Sequence, residues 1–228
     1  MRLLGIVLTL GYYLSMLVFL GSYAARVLVW VKGKPLSAVT SEKMTLKTLG
    51  AAVIDILFLG RLLWVNDLLW FGEWTFHVCF LLTMLGHLRY FLNPIPHWVW
   101  ALQPFEIIAG YVLPLALAYI FVVKLLIEKK KYVSSYNFLL LVLILGLSVC
   151  GLLMRTVFHP DNISIKAFSM GIVTFRFAAA PGSALFIFHF VLVLVLIVNL
   201  PTHIFAAPLA LVGARQREET LNRVMHEK

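Results

Sequence analysis

The sequence predicts an all-α fold: an integral membrane five-helix bundle with an amphipathic interfacial helix between the first and second spans. Three observations lead there. The 228 residues are 62% hydrophobic and 13% charged, with a mean hydropathy of +0.96, against roughly 45–50% apolar and about 25% charged in soluble domains. The apolar residues gather into uninterrupted runs near the ~20 residues that cross a hydrocarbon core, without the alternating segments of a membrane barrel. Backbone polar groups find no water partner in lipid, so helices that satisfy their own backbone remain.

Residues 3–30 form the first span, with Arg26 in its last part and Lys32 and Lys34 beyond it. No small-residue cleavage site follows a short apolar core, so this stretch is expected to remain as a helix. Residues 37–47 are polar and read as a loop. The next stretch, LGAAVIDILFLGRLLWVNDLLWFG over 49–72, is apolar but holds Asp55, Arg61 and Asp67. Each charge at the bilayer centre would cost about 2.5–3.5 kcal/mol, a cost that a helix lying in the interface avoids. It is therefore expected as the interfacial helix.

The second span covers 74–92 and ends at Asn93-Pro94, after which Trp98 and Trp100 suit a membrane-interface belt. The third covers 105–127, with Pro114 expected to kink it and Lys129, Lys130 and Lys131 stopping it. The fourth covers 136–158 and ends near Arg155 and His159-Pro160. Residues 161–181 are mixed and read as a loop or surface helix carrying Lys166 and Arg176. The fifth covers 182–212, long enough to project beyond a bilayer, and a polar tail over 213–228 follows. Residues 1–228 thus read as one membrane domain, without internal repeats.

The net charge of +9 does not point to nucleic acid, because no basic run exceeds the three lysines at 129–131. Topology accounts for it better. Of the 19 Lys and Arg residues, only Arg2, Arg89, Arg155, Lys166 and Arg176 fall on one flank of the five spans. By the positive-inside rule the N-terminus lies outside and the C-terminus in the cytoplasm, in a cell's inner membrane. Cys79 and Cys150 lie in apolar runs without metal-type or haem-attachment spacing, and read as packing residues.

Four histidines carry the chemistry. His77 and His87 lie ten residues apart on the second span, about 15 Å along a helix and about 80° around it, so both can face the bundle interior. Intramembrane ionisable side chains usually do face it and mark function; two buried neutral histidines with hydrogen-bond partners are the plain alternative. His189 and His203 lie fourteen residues apart on the fifth span, nearly four turns and about 21 Å, so they sit close to one face. Antiparallel spans match His77 with His203 near the cytoplasm and His87 with His189 near the outside. Two such pairs suit two six-coordinate haem irons, which accept axial imidazoles. Zinc or copper would be left half coordinated, with no Asp, Glu or Cys nearby to complete the sphere. Four independent structural histidines remain the alternative.

FHVCFLLTMLGH, the PHW element at 96–98, and the fifth-span order of phenylalanines, histidine, aliphatic run, proline, histidine and Pro208 resemble the gamma subunit of respiratory nitrate reductase. That family includes the membrane cytochromes b of heterodisulfide reductase and sulfite-reduction-associated complexes. The resemblance covers most of the chain, with the sharp motifs on the second and fifth spans. It departs from the nitrate-reductase branch in the fifth-span spacing, by about one turn, and in having Gln103 and Glu106 where that branch has a lysine. FLGRLLWVN is more similar to the heterodisulfide and sulfite-associated branch.

The resemblance implies a dihaem cytochrome b subunit with two haems b on His77/His203 and His87/His189. Electrons would pass between menaquinone or a similar lipid-soluble carrier at the outer side and a cytoplasmic iron–sulfur subunit, in either direction. That subunit would dock on the 49–72 helix and the tail. His97, Gln103 and Glu106 are the candidate carrier-site residues; Arg89, Arg155 and Arg176 are candidates for pairing haem propionates. A non-redox membrane anchor is the competing reading. A proton-coupled transporter fits less well, with Glu106 as the one acid near the start of a span.

Overall fold

The computed structural model describes residues 1–32, 46–127 and 134–226. Most of the polar loop expected over 37–47, and the lysines at 129–131, lie outside the described residues. Among the described residues there is no strand. The chain runs through α1 (Arg2–Lys32), α2 (Leu46–Phe58), α3 (Gly60–Val65), α4 (Asp67–Phe91), α5 (His97–Ala101), α6 (Gln103–Ile127), α7 (Ser135–Leu153), a π-helical turn (Met154–Phe158), α8 (Asn162–Val173) and α9 (Ala184–His226). Five of these helices are long and apolar enough to cross a membrane: α1, α4, α6, α7 with its π turn, and the first part of α9.

Three boundaries differ from expectation, each for a local reason. The interfacial helix expected over 49–72 is not one element. Leu59 takes a left-handed conformation (φ 49°, ψ 39°) and separates α2 from α3. Asn66, extended, then accepts the Leu69 N–H on its side chain and starts α4 at Asp67. Asp67 therefore sits in the first turn of a spanning helix, where the dipole favours an acid, and not on an interfacial face. The fifth helix does not end near 212: α9 continues to His226, so the tail is a helical extension. Residues 162–173 form α8, whose Phe168 is fully enclosed. That helix belongs to the core more than to the surface.

The helices form a chain of neighbours: α4 packs on α6, α6 on α7, α7 on α9, and α9 on α1. α8 lies on α4 and α2 on α9. α4 and α9, which carry the four histidines, are not among the closely packed pairs. Leu69, Cys79, Leu113, Leu117 and Ile120 fill the α4–α6 seam. Leu140, Leu143, Leu147 and Leu196 join α7 to α9. Leu8, Ile165, Phe168 and Phe186 close the end where α1 begins. Cys79 and Cys150 are buried and free. The α4–α6 approach requires Gly72, since a Cβ there would stand 2.7 Å from the Tyr119 ring and 2.8 Å from Ile120.

One end of the bundle, the N-terminal face, gathers the start of α1, α5, α8 and the start of α9; the Ala180 N–H donates to the Met1 carbonyl there. The opposite, C-terminal face gathers the end of α1, α2, α3 and the extension of α9. Arg26 meets Thr202, and Arg215 meets Asp55, at that end.

Candidate functional site: two histidine pairs between α4 and α9

His77 sits one turn after Glu73 on α4, with Nδ1 2.6 Å from the Glu73 carbonyl. A carbonyl only accepts, so Nδ1 carries a proton and donates, which in a neutral imidazole leaves the lone pair on Nε2. The imidazole of His203, on α9, lies 6.3 Å away between ring centroids with planes 19° apart. Metal–imidazole bonds of about 2 Å on opposite sides of one atom put two ring centroids slightly over about 6 Å apart. The pair therefore has the separation that two axial ligands of one metal require. Beside it, Lys124 Nζ donates to Glu73 Oε1 at 2.8 Å, and Arg26 Nη2 donates to Thr202 Oγ1 at 2.9 Å.

His87 repeats the arrangement nearer the N-terminal face. Its Nδ1 donates to the Thr83 carbonyl at 2.6 Å, again leaving Nε2 free. His189 on α9 lies within electrostatic reach of His87, and its Nδ1 is buried without a hydrogen-bond partner of ordinary geometry among the described residues. Gly151 of α7 adjoins the His189 ring. A metal-bound histidine characteristically donates its other N–H to a backbone carbonyl, which fixes tautomer and ring orientation. Both α4 histidines are held in that way.

A charged cluster stands beside the second pair. Glu106 of α6, 5% exposed, faces Arg89 Nη1 at 3.3 Å and Arg155 Nη1, on the π turn, at 3.8 Å. Arg89 also donates to the Tyr90 hydroxyl, which donates to Asn162 Oδ1. Gly86 makes room for the carboxylate: a Cβ there would fall 2.2 Å from Glu106 Cγ. With two guanidinium groups and one carboxylate, the cluster retains one positive charge.

The structure thus brings together His77 with His203, leaves His189 within electrostatic reach of His87, and sets Arg89, Arg155 and Glu106 beside His87. Gln103 begins α6, one turn before Glu106, and is half-buried; His97 is exposed at the start of α5. Arg176 is exposed in the α8–α9 connection and lines a hollow with Met170, Thr174 and Phe177, apart from the Glu106 ion pairs. The Glu73–Lys124 pair beside His77 and the Asp55–Arg215 pair beyond His203 did not emerge from sequence reasoning. Acids four residues before a histidine or inside an interfacial helix carry no signal of their distant partners.

Among the described residues, no group of three or more His, Cys, Asp or Glu side chains is placed to hold a metal ion. Each pair supplies two nitrogen donors, which suits an ion whose remaining positions are filled by a planar macrocycle.

The chain is similar to two curated proteins, each named Hdr-like menaquinol oxidoreductase cytochrome b-like subunit. That of Archaeoglobus profundus is 30% identical over 149 residues, covering 58% of this chain and 44% of the relative. That of Archaeoglobus fulgidus is 26% identical over 149 residues, covering 58% and 45%. The chain thus spans less than half the length of the curated relatives it matches. No family model matches, the nitrate reductase gamma family included, and no solved structure matches.

Proposed function

We propose that this chain is the dihaem cytochrome b subunit of a membrane complex that exchanges electrons between a menaquinol-type carrier and an iron–sulfur partner. The observation that carries the reading is the His77/His203 pair, 6.3 Å apart and nearly parallel, with the His77 tautomer set by a backbone carbonyl. Both relatives bear a menaquinol oxidoreductase cytochrome b-like name, and their Hdr-like designation favours the heterodisulfide-type branch.

His77 with His203, and His87 with His189, would hold one haem b each; bound there, haem supplies reversible one-electron chemistry at its iron. The residual positive charge of Arg89, Arg155 and Glu106 suits an anionic propionate, and Arg176 would serve the same face if it turned inward. When a quinol is oxidised its protons must leave, and the Glu106 carboxyl group, which faces Arg89 and Arg155, offers Oε1 and Oε2 as acceptors. Gln103 and His97 line the approach at the α5–α6 corner. At the other face, α2, α3 and the α9 extension offer the docking surface for an iron–sulfur subunit. By the positive-inside rule that face is cytoplasmic and the N-terminal face is outside.

A reduced-minus-oxidised spectrum of the purified protein should show b-type bands with about two haems per chain; absence of haem overturns the reading. Replacing His203 with Ala should remove one of two centres resolved by redox titration. Loss of both centres, or the loss on His203→Ala of the same centre that disappears on His189→Ala, contradicts the pairing.

A further inference from the structure

The turn of α9 that carries His203 lies between Pro201 and Pro208, both inside the helix. Each proline lacks a backbone N–H and removes one intrahelical hydrogen bond, so the helix has fewer restraints of its own on either side of this turn. Other helices supply them. Beside His203, Thr202 Oγ1 accepts from Arg26 of α1. Twelve residues further, about 18 Å along the helix, Arg215 Nε donates to Asp55 Oδ2 of α2 at 2.6 Å.

Asp55 is the hub of that second contact. It is 5% exposed and also faces Arg61 Nε of α3 at 3.4 Å. Glu218, one turn beyond Arg215, meets Arg61 Nη2 at 2.5 Å and Arg215 Nη1 at 3.6 Å. A buried carboxylate is tolerable only with its cations in place, so the α9 extension has one favourable position against α2 and α3. Resting on the haem-ligand reading above, we infer that Asp55 and Arg215 are positioning residues for His203. The ion pair fixes where the C-terminal part of α9 stands along and around its axis, and so where the His203 imidazole stands against His77.

The test uses the purified complex with Asp55→Asn, Arg215→Gln and Arg215→Lys, read by low-temperature electron paramagnetic resonance of the ferric protein and by redox titration. The centre that disappears in His203→Ala identifies the signal to follow. In Asp55→Asn and Arg215→Gln that centre should show a shifted low-spin g value and a shifted midpoint, with the other centre unmoved. Arg215→Lys, which keeps the cation, should resemble the parent. An unmoved signal in both neutral variants overturns the inference, as does an equal shift of both centres, which would mean a general loss of structure. Should Asp55→Asn fail to accumulate, Arg215→Gln alters the partly exposed end of the pair and decides alone. A parent protein without haem overturns the functional reading itself, and is told apart because it shows before any variant is made.

Discussion

At the scale of single residues, the α4 histidines owe the orientation of their rings to an ordinary property of helices. A carbonyl stands four residues before each imidazole, at Glu73 and at Thr83, and accepts the hydrogen bond that Nδ1–H donates. The position four residues back is fixed by helical periodicity, so this much was legible once the span was recognised. The Glu106 cluster was not, because it joins three helices through side chains whose direction no spacing specifies. Gly86 makes that cluster possible, and Gly86→Ala tests it. The new methyl would have to displace Glu106 Cγ, which lies 2.2 Å away, and overpacking of this kind costs about 1–3 kcal/mol. Thermal unfolding in detergent should show that loss as a lower unfolding midpoint; an unchanged midpoint would mean that Glu106 moves aside freely.

At the scale of elements, the five spans were readable because lipid-length apolar runs have few alternatives. The interfacial region was misdivided for two opposite reasons. Asn66-Asp67 is a helix-start signature that the sequence does show, and it marks the true beginning of α4. Leu59 in the left-handed region is one that no sequence rule favours, since a side chain there costs about 1–2 kcal/mol. The histidines stand ten residues apart on α4 and fourteen apart on α9, a mismatch that calls for a tilt or a bend. Pro201 lies within α9 two residues before His203, and His77 and His203 meet all the same. Because α4 positions both of its histidines from one start point, its cap matters. Asn66→Ala removes the acceptor for the Leu69 N–H and should cost about 1 kcal/mol. Hydrogen exchange should localise the loss to the first turn of α4, and a loss spread over the whole helix would contradict a capping role.

At the scale of the whole molecule, the C-terminal face is tied together by charges that the sequence presents far apart, Asp55 and Arg215 being 160 positions distant. This join makes α2, α3 and the α9 extension one body. The Arg215 hydrogen bond to Asp55, more than any other influence, holds that carboxyl below its ordinary value of 3.8 against the opposing effect of burial; the charges of Arg215 and Arg61 add to it. The direction fixes the sign of the pH dependence. A carboxylate whose folded pKa is depressed contributes stability in full above its unfolded pKa, and loses it as pH falls through the folded value. The join should therefore be unaffected from neutral pH down to about 5 and loosen below the ordinary carboxylate range. Hydrogen exchange, corrected for the intrinsic rate at each pH, should show α2 and the α9 extension losing protection in that acid window while the α4–α6 core keeps it. In Asp55→Asn the protection should already be low at neutral pH and change little on acidification. If the variant showed the same acid-dependent loss as the parent, another group would be responsible, and the Asp55–Arg215 pair would not be what holds the two segments together.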